Sequence, residues 1–387
     1  MQYDQDRRQA TNKKIMIVAG EASGDLHGSH VVRFMKRLDP TLRFYGVGGE
    51  KLREAGVDVI AESSHMAVVG LTEVLSKIGF ILSVRRKLKQ SFDEERPELV
   101  ILIDYPDFNL PLAKAAHQRG IKVFYYISPQ VWAWRKRRIY QIARWVDRMA
   151  VILPFEPMVY EKVDLDVRFV GHPLLDVMER NYTDRDARRI FGLREEIPTV
   201  ALLPGSRESE VTKLLPEMLM AAELLKMKLP SVQFVMPRAA GLRRDLIASM
   251  IDASPVTISV VDNNVYDVIG VSDCAIVASG TATMETALLE TPMIIIYKVS
   301  PFSYYMGRRI IRVDHIGMVN IIAGKRIVPE FIQGDAHADN MADEVYDLLT
   351  NDGRRERMKQ DLKEIRTKLG SPGAAEKTAR FAYELIS

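Results

Sequence analysis

Ten short runs of β-branched and other apolar residues, beginning with Lys14–Ala19 (KIMIVA), recur along this chain of 387 residues. Each ends in small or polar residues, and the stretches that separate most of them are longer and amphipathic. The first run leads into a helical pattern over residues 25–38. The next four runs are residues 42–47, 99–103, 122–127 and 149–153. A second series covers residues 199–203, 233–236, 257–261, 274–278 and 293–297. Apolar runs without alternation are strands buried on both faces. Alternation with helices places them in parallel sheets covered on two sides. Between the two series, around residues 171–185, His172, Pro173 and a polar run mark a boundary. The expected organisation is a Rossmann-like domain over residues 13–180 and a second over 195–340. Helices follow over 341–387, either packed back on the first domain or exchanged in a dimer. Two doubly wound sheets in tandem imply a cleft between domains, edged by the loops at the carboxyl ends of the strands.

Composition narrows the class. Lys and Arg number 54 against 51 Asp and Glu, a net charge of +3, so no overall polyanion affinity follows from charge. The single cysteine, Cys274, excludes an internal disulfide and a cysteine zinc cluster, and it reads as a small core residue. No apolar run reaches the length of a membrane span, and the polar first dozen residues carry no secretory signal pattern. Any membrane contact is therefore expected from the cytoplasmic side.

Two loops in the second series suit a diphosphate. In LLPGSRESE the strand stops at Leu203, Gly205 lets backbone amides come close to a ligand, and a helix begins near Glu208. Gly205 and Ser206 offer amides, and Arg207 offers a fork of donors matched to phosphate oxygens. In ASGTATME the strand ending at Ala278 runs into Ser279, Gly280 and Thr281, which offer hydroxyls and amides. Glu285, four residues past Thr281, shares its helical face and can accept both hydroxyls of a ribose. Each loop alone could be an ordinary strand–helix corner; two on one sheet favour a nucleotide-sugar site.

The first series supplies acid–base candidates. GEASGDLHG follows the first strand without the GxGxxG spacing, which disfavours a nicotinamide cofactor. Glu21, Ser23 and Asp25 could bind sugar hydroxyls; equally, Ser23 or Asp25 could cap the helix, the commoner fate of such residues. Asp104 ends the run VILID at the sheet's carboxyl edge and is preferred as a general base over Asp107, which suits a helix start. Asp164 and Asp166 mimic a metal-binding DxD, but precede a strand instead of ending one. His172 is either catalytic or a hinge residue.

Leu71, Val74, Leu75, Ile78, Ile81 and Leu82 repeat at helical spacing inside the apolar segment 66–82, followed by Arg85, Arg86, Lys87 and Lys89. Such a stripe is usually core, yet an apolar face beside a basic cluster also fits anionic lipid. VWAWRKRR and FSYYMGRRIIR interleave aromatics with arginines. Without any RNA- or DNA-binding motif, they suit a lipid headgroup layer better than nucleic acid.

Taken together, GEASGDLHG, IDYPDFN, YYISPQVWAWRKRR, ILPFEP, FVGHPL, LLPGSRESE and ASGTATMETALLETP make the chain resemble the lipid-A-disaccharide synthases, glycosyltransferase family 19. The resemblance implies a GT-B fold, with an acceptor-side first domain and a UDP-sugar-binding second domain. It implies inverting transfer of 2,3-diacylglucosamine from its UDP derivative to 2,3-diacylglucosamine 1-phosphate (lipid X), giving a β-1′,6-linked disaccharide. It also implies no cofactor, no metal requirement, a place at the inner face of the inner membrane, and in some members a homodimer. Asp104 becomes the base, Arg207 and the loop amides stabilise departing UDP, and Asn320, in MVNIIAG, joins the donor pocket. A UDP-sugar 2-epimerase of the same fold, and a non-catalytic membrane-surface protein, are the alternatives.

Overall fold

The computed structural model describes residues 13–66, 71–300, 304–305 and 314–387, and gives only the backbone course for 71–77. The chain divides into two compact units. One comprises residues up to Asp176 together with Gly370–Ser387, and the other Val177–Leu369.

Among the described residues, the first unit holds seven strands: β1 (Lys14–Ala19), β2 (Arg43–Gly48), β3 (Val57–Glu62), β4 (Leu99–Ile103), β5 (Lys122–Tyr126), β6 (Arg148–Val151) and β7 (Asp166–Phe169). Their order is β3-β2-β1-β4-β5-β6-β7, and all pairs are parallel. The order reverses at β1 and β4, where Ala19 pairs with Ile103. That register sets the loops after Gly20 and after Ile103 side by side at a switch point. β1 and β4 are almost wholly buried, which is why their sequences are unbroken apolar runs. β3 and β7 lie at the edges, with alternating exposure and charged residues. Edge strands carry such residues against unwanted pairing, and for the same reason their patterns escape a search for apolar runs.

The second unit orders β8 (Thr199–Leu203), β9 (Gln233–Arg238), β10 (Ile258–Asp262), β11 (Cys274–Ala278), β12 (Met293–Tyr297) and β13 (Glu330–Ile332) as β10-β9-β8-β11-β12-β13. Here the reversal falls at β8 and β11, where Leu203 pairs with Val277.

The expected tail of 341–387 is divided between the units. Helices Ala338–Thr350 and Asp352–Lys368 belong to the second, and helix Ala374–Tyr383 belongs to the first. Ala375, Ala379, Phe381 and Ala382 join the apolar core beside β1 and β4. Asp176 secures that helix's start: its carboxylate accepts from the amides of Gly373 (2.6 Å), Ala374 (3.3 Å) and Ala375 (2.9 Å). The second unit also begins earlier than residue 195. Buried Asp267 accepts from the backbone of Asn181 and Tyr182, and Arg188 donates to the Val271 carbonyl.

Asp25 caps a different helix from the one expected. Its own helix, Ala22–Leu38, starts after Glu21, which makes no side-chain capping bond. The Asp25 carboxylate instead accepts from the amides of Gly49 (2.5 Å), Lys51 (3.0 Å) and Leu52 (3.2 Å), at the start of helix Glu50–Glu54.

Candidate functional site

In the first unit the chain leaves β4 through two consecutive left-handed residues, Asp104 (φ 44°) and Tyr105 (φ 46°). Non-glycine residues adopt this region at a cost, and it is often found where a side chain must be aimed. The turn needs Gly20 opposite it: a Cβ there would lie 2.4 Å from a ring carbon of Tyr105. Asp104 is solvent-accessible, as a proton acceptor must be. Protein packed around its carboxylate, together with the nearby Glu21 carboxylate, raises its pKa to about 6. Glu21 is thus brought to Asp104 by the β1–β4 register, and Ser23 lies exposed in the next turn. Asp107 stands in the first turn of helix Pro106–His117 and pairs with Arg138 (2.6 Å) and Arg135 (3.5 Å).

A buried acid of this unit was not among the sequence candidates. Glu156, in ILPFEP, is 1 % exposed and accepts from the amides of Ile152 (3.2 Å) and Leu153 (3.0 Å) past the end of β6. Burial outweighs these bonds and lifts its carboxyl to about 7, with the charge of Asp104 adding to the rise. An acid three residues beyond the apolar run 149–153 was the available signal.

In the second unit, one cavity of about 530 Å³ collects both glycine loops. Gly205, Ser206, Arg207, Ser279, Gly280, Thr281 and Glu285 all line it, at the carboxyl ends of β8 and β11. Gly205 has φ 111°, a conformation strained for other residues, and a Cβ there would meet Glu210 at 2.4 Å. The Arg207 guanidinium is half-exposed and rests on Glu210 (3.0 Å). Burial raises the Glu285 pKa, opposed by a hydrogen bond from the Tyr266 hydroxyl (3.4 Å). The lining adds Glu210, Arg238, Asn263 and Asn264, which the motifs did not single out. Arg238 ends β9 and is held by Asp262 (2.5 Å) at the end of β10.

Asn320 is not part of this cavity. It is fully buried, its amide donates to the Val328 carbonyl (2.8 Å) and Glu330 (2.7 Å), and its oxygen accepts from Ile327 (2.8 Å) and Val328 (3.0 Å). Those four bonds use the donors and acceptor of its amide and brace the approach to β13.

Other expectations sort by burial. Cys274 is fully buried and its thiol is pushed up to about 12 by burial, as a core residue's would be. His172 is buried, accepts from the Leu174 amide (3.3 Å), and is kept neutral, with a pKa near 4, by burial and by His27. Asp166 pairs with Arg148 (3.4 Å) and Arg168 (3.1 Å). Arg135 lies over the Trp134 ring at 4.4 Å, while Lys136, Arg137 and Lys162 border a recess with Trp132 and Tyr140. Of the apolar stripe, Ile78 (47 %) and Leu82 (45 %) are exposed, as is Phe80, whereas Ile81 packs against the first unit's core. The side chains of Leu71, Val74 and Leu75 lie outside the described residues, as does most of FSYYMGRRIIR. Among the described residues no helix is long and apolar enough to cross a membrane.

The fold recurs in a UDP-GlcNAc 2-epimerase from Neisseria meningitidis solved with UDP-GlcNAc (TM-score 0.60, 11 % identity, covering 96 % of this chain and 98 % of that one). It recurs also in the calicheamicin glycosyltransferase (TM-score 0.60, 13 % identity, 97 % and 99 %). Two parallel α/β units of this kind, with loops of the second gathered into one cavity, define the GT-B class. Within that class the sequence is specific. A family model described as lipid-A-disaccharide synthetase matches residues 15–385, and a lipid-A-disaccharide synthase of Syntrophus aciditrophicus is 54 % identical over 97 % of this chain and 98 % of its own. The chain belongs to the lipid-A-disaccharide synthase family of glycosyltransferases, and is an enzyme of lipid A biosynthesis.

Proposed function

We propose that the protein transfers 2,3-diacylglucosamine from UDP-2,3-diacylglucosamine to the 6-hydroxyl of 2,3-diacylglucosamine 1-phosphate, with inversion. The supporting observation is the cavity that unites Gly205, Arg207, Gly280, Thr281 and Glu285. In this reading, Glu285 accepts from the ribose hydroxyls, and the two loops hold the diphosphate. The acceptor oxygen forms a bond to the anomeric carbon as the bond from that carbon to the β-phosphate oxygen breaks. The hydroxyl proton passes to Asp104, and the electron pair of the broken bond leaves with UDP. Arg207 and the loop amides meet the charge that grows on the β-phosphate, where fixed donors act most strongly. A base with a pKa near 6 is largely ionised at neutral pH yet basic enough to share a proton in the transition state.

Incubation with both acylated substrates, followed by mass analysis, should give the disaccharide 1-phosphate and UDP, with and without chelator. Absence of that product, or conversion of UDP-N-acetylglucosamine to its 2-epimer, would overturn the reading.

Both substrates carry acyl chains, so contact with anionic lipid at the inner face of the inner membrane belongs to the same proposal. Ile78, Phe80 and Leu82 are exposed on helix Leu71–Glu95, just ahead of Arg85, Arg86, Lys87 and Lys89. Replacing Ile78, Phe80 and Leu82 together with serine should weaken partition onto anionic vesicles roughly tenfold or more. Stability should change by no more than about 0.5 kcal/mol per site, as for surface positions. Unfolding on substitution would instead mark this face as core.

A further inference from the structure

We propose that Asn109 and Tyr125 are positioning residues which clamp the main chain of Asp104 and thereby aim its carboxylate. This inference rests on the reading of Asp104 as the base.

The Asp104–Tyr105 turn is a strained conformation, and strain of this kind persists only where the surroundings over-determine it. The surroundings do so through the backbone oxygens. The Asp104 carbonyl accepts from the Asn109 side-chain amide (2.7 Å) and from the Tyr125 hydroxyl (2.5 Å). The same Asn109 amide group donates to the Ile103 carbonyl (3.1 Å), so one side chain spans both residues at the end of β4. On the other side, the Asp104 amide continues the sheet by donating to the Tyr126 carbonyl (3.0 Å). Asn109 and Tyr125 are both fully buried. Tyr105, next in the turn, is pinned through its hydroxyl to the Met66 carbonyl (3.0 Å).

Neither clamp residue reaches solvent, so neither touches substrate. Their effect passes through the direction in which the Cα–Cβ bond of Asp104 leaves the chain. The carboxylate's own hydrogen bond is to the backbone amide of Tyr105, which belongs to the same turn and moves with it, so the direction depends on what holds the turn. A displacement of about 1 Å in a reacting group can cost a hundredfold in rate.

The test compares Tyr125→Phe, Asn109→Ala and Asn109→Ser with the unmodified enzyme. Tyr125→Phe keeps the buried ring and removes only the hydroxyl, so the fold is retained. Circular dichroism and thermal melting give the folded fraction by which activity is divided. Tyr125→Phe should lower kcat about tenfold and Asn109→Ala ten- to a hundredfold, with KM for both substrates and UDP affinity within about twofold. Asn109→Ser, which restores one donor, should recover part of the loss. The acid limb of the kcat/KM profile should move to lower pH, because a carboxylate released towards water loses the surroundings that raise its pKa. Unchanged kcat per folded molecule, or a fall matched by a rise in KM, would overturn the proposal. Asp104→Asn, assayed in parallel, separates the two readings: turnover surviving in that variant discards the base itself, whatever the clamp variants show.

Discussion

Asp104→Asn should lower kcat by roughly 10²- to 10⁴-fold, the range expected when a general base is lost, while UDP binding stays within about twofold. The separation follows from placement. Asp104 belongs to the first unit, whereas Arg207, Glu285 and the glycine loops belong to the second. The fold should survive the change. A carboxyl whose pKa is raised on folding is held less favourably as an anion than in the unfolded chain, so above that pKa its charge opposes folding. Removing the charge with an isosteric amide therefore takes no stabilising charge away at neutral pH. The same shift sets the pH dependence. The base works only when ionised, so kcat/KM should fall as pH drops through about 6. Glu21→Gln removes a neighbouring negative charge that contributes to the raised value. Its acid limb should therefore lie at lower pH than in the unmodified enzyme. Full activity in Asp104→Asn, or a profile flat from pH 5 to 8, would remove Asp104 from this role.

Arg207→Ala should weaken UDP binding about tenfold and lower kcat by roughly 10²- to 10³-fold, because charge on the β-phosphate grows as the bond to the sugar breaks. Arg207→Lys should fall between, since it keeps the charge and loses the planar fork. The guanidinium now rests on Glu210 at 3.0 Å, an exposed pair of little intrinsic worth, so a diphosphate can displace it at small cost. Calorimetric titration with UDP and initial-rate kinetics check both numbers. Unaltered UDP affinity in Arg207→Ala would place the phosphates elsewhere.

The sequence was most legible where burial on both faces forces an unbroken apolar pattern. β1, β4, β8 and β11 were readable for that reason, and so were the loops after them, because a glycine or an aspartate at the end of such a run stands out. β3, β7 and the three-residue β13 were not, since edge strands alternate or are too short to show a period. Polar side chains were legible only in type. Asp25 looks like a cap in the sequence and is one, but for a helix that starts 25 residues later. Asn320 looks like a ligand residue, and its hydrogen bonds go to the backbone of Ile327 and Val328 and to the Glu330 carboxylate. Asn109 closes the motif IDYPDFN and Tyr125 opens YYISPQVWAWRKRR, but nothing in either motif says that the two side chains meet. Only the pairing of β4 with β5 and the first turn of helix Pro106–His117 bring them to one carbonyl.

The stereochemistry of the product tests the central claim most directly, and proton NMR of the disaccharide formed from the α-linked UDP donor reads it. One base and one in-line displacement predict a β linkage, seen as a large trans-diaxial coupling between the first two ring protons of the transferred sugar. An α linkage would require a second displacement or a different geometry of attack, and would contradict the assignment of Asp104 and the diphosphate cavity to a single inverting step.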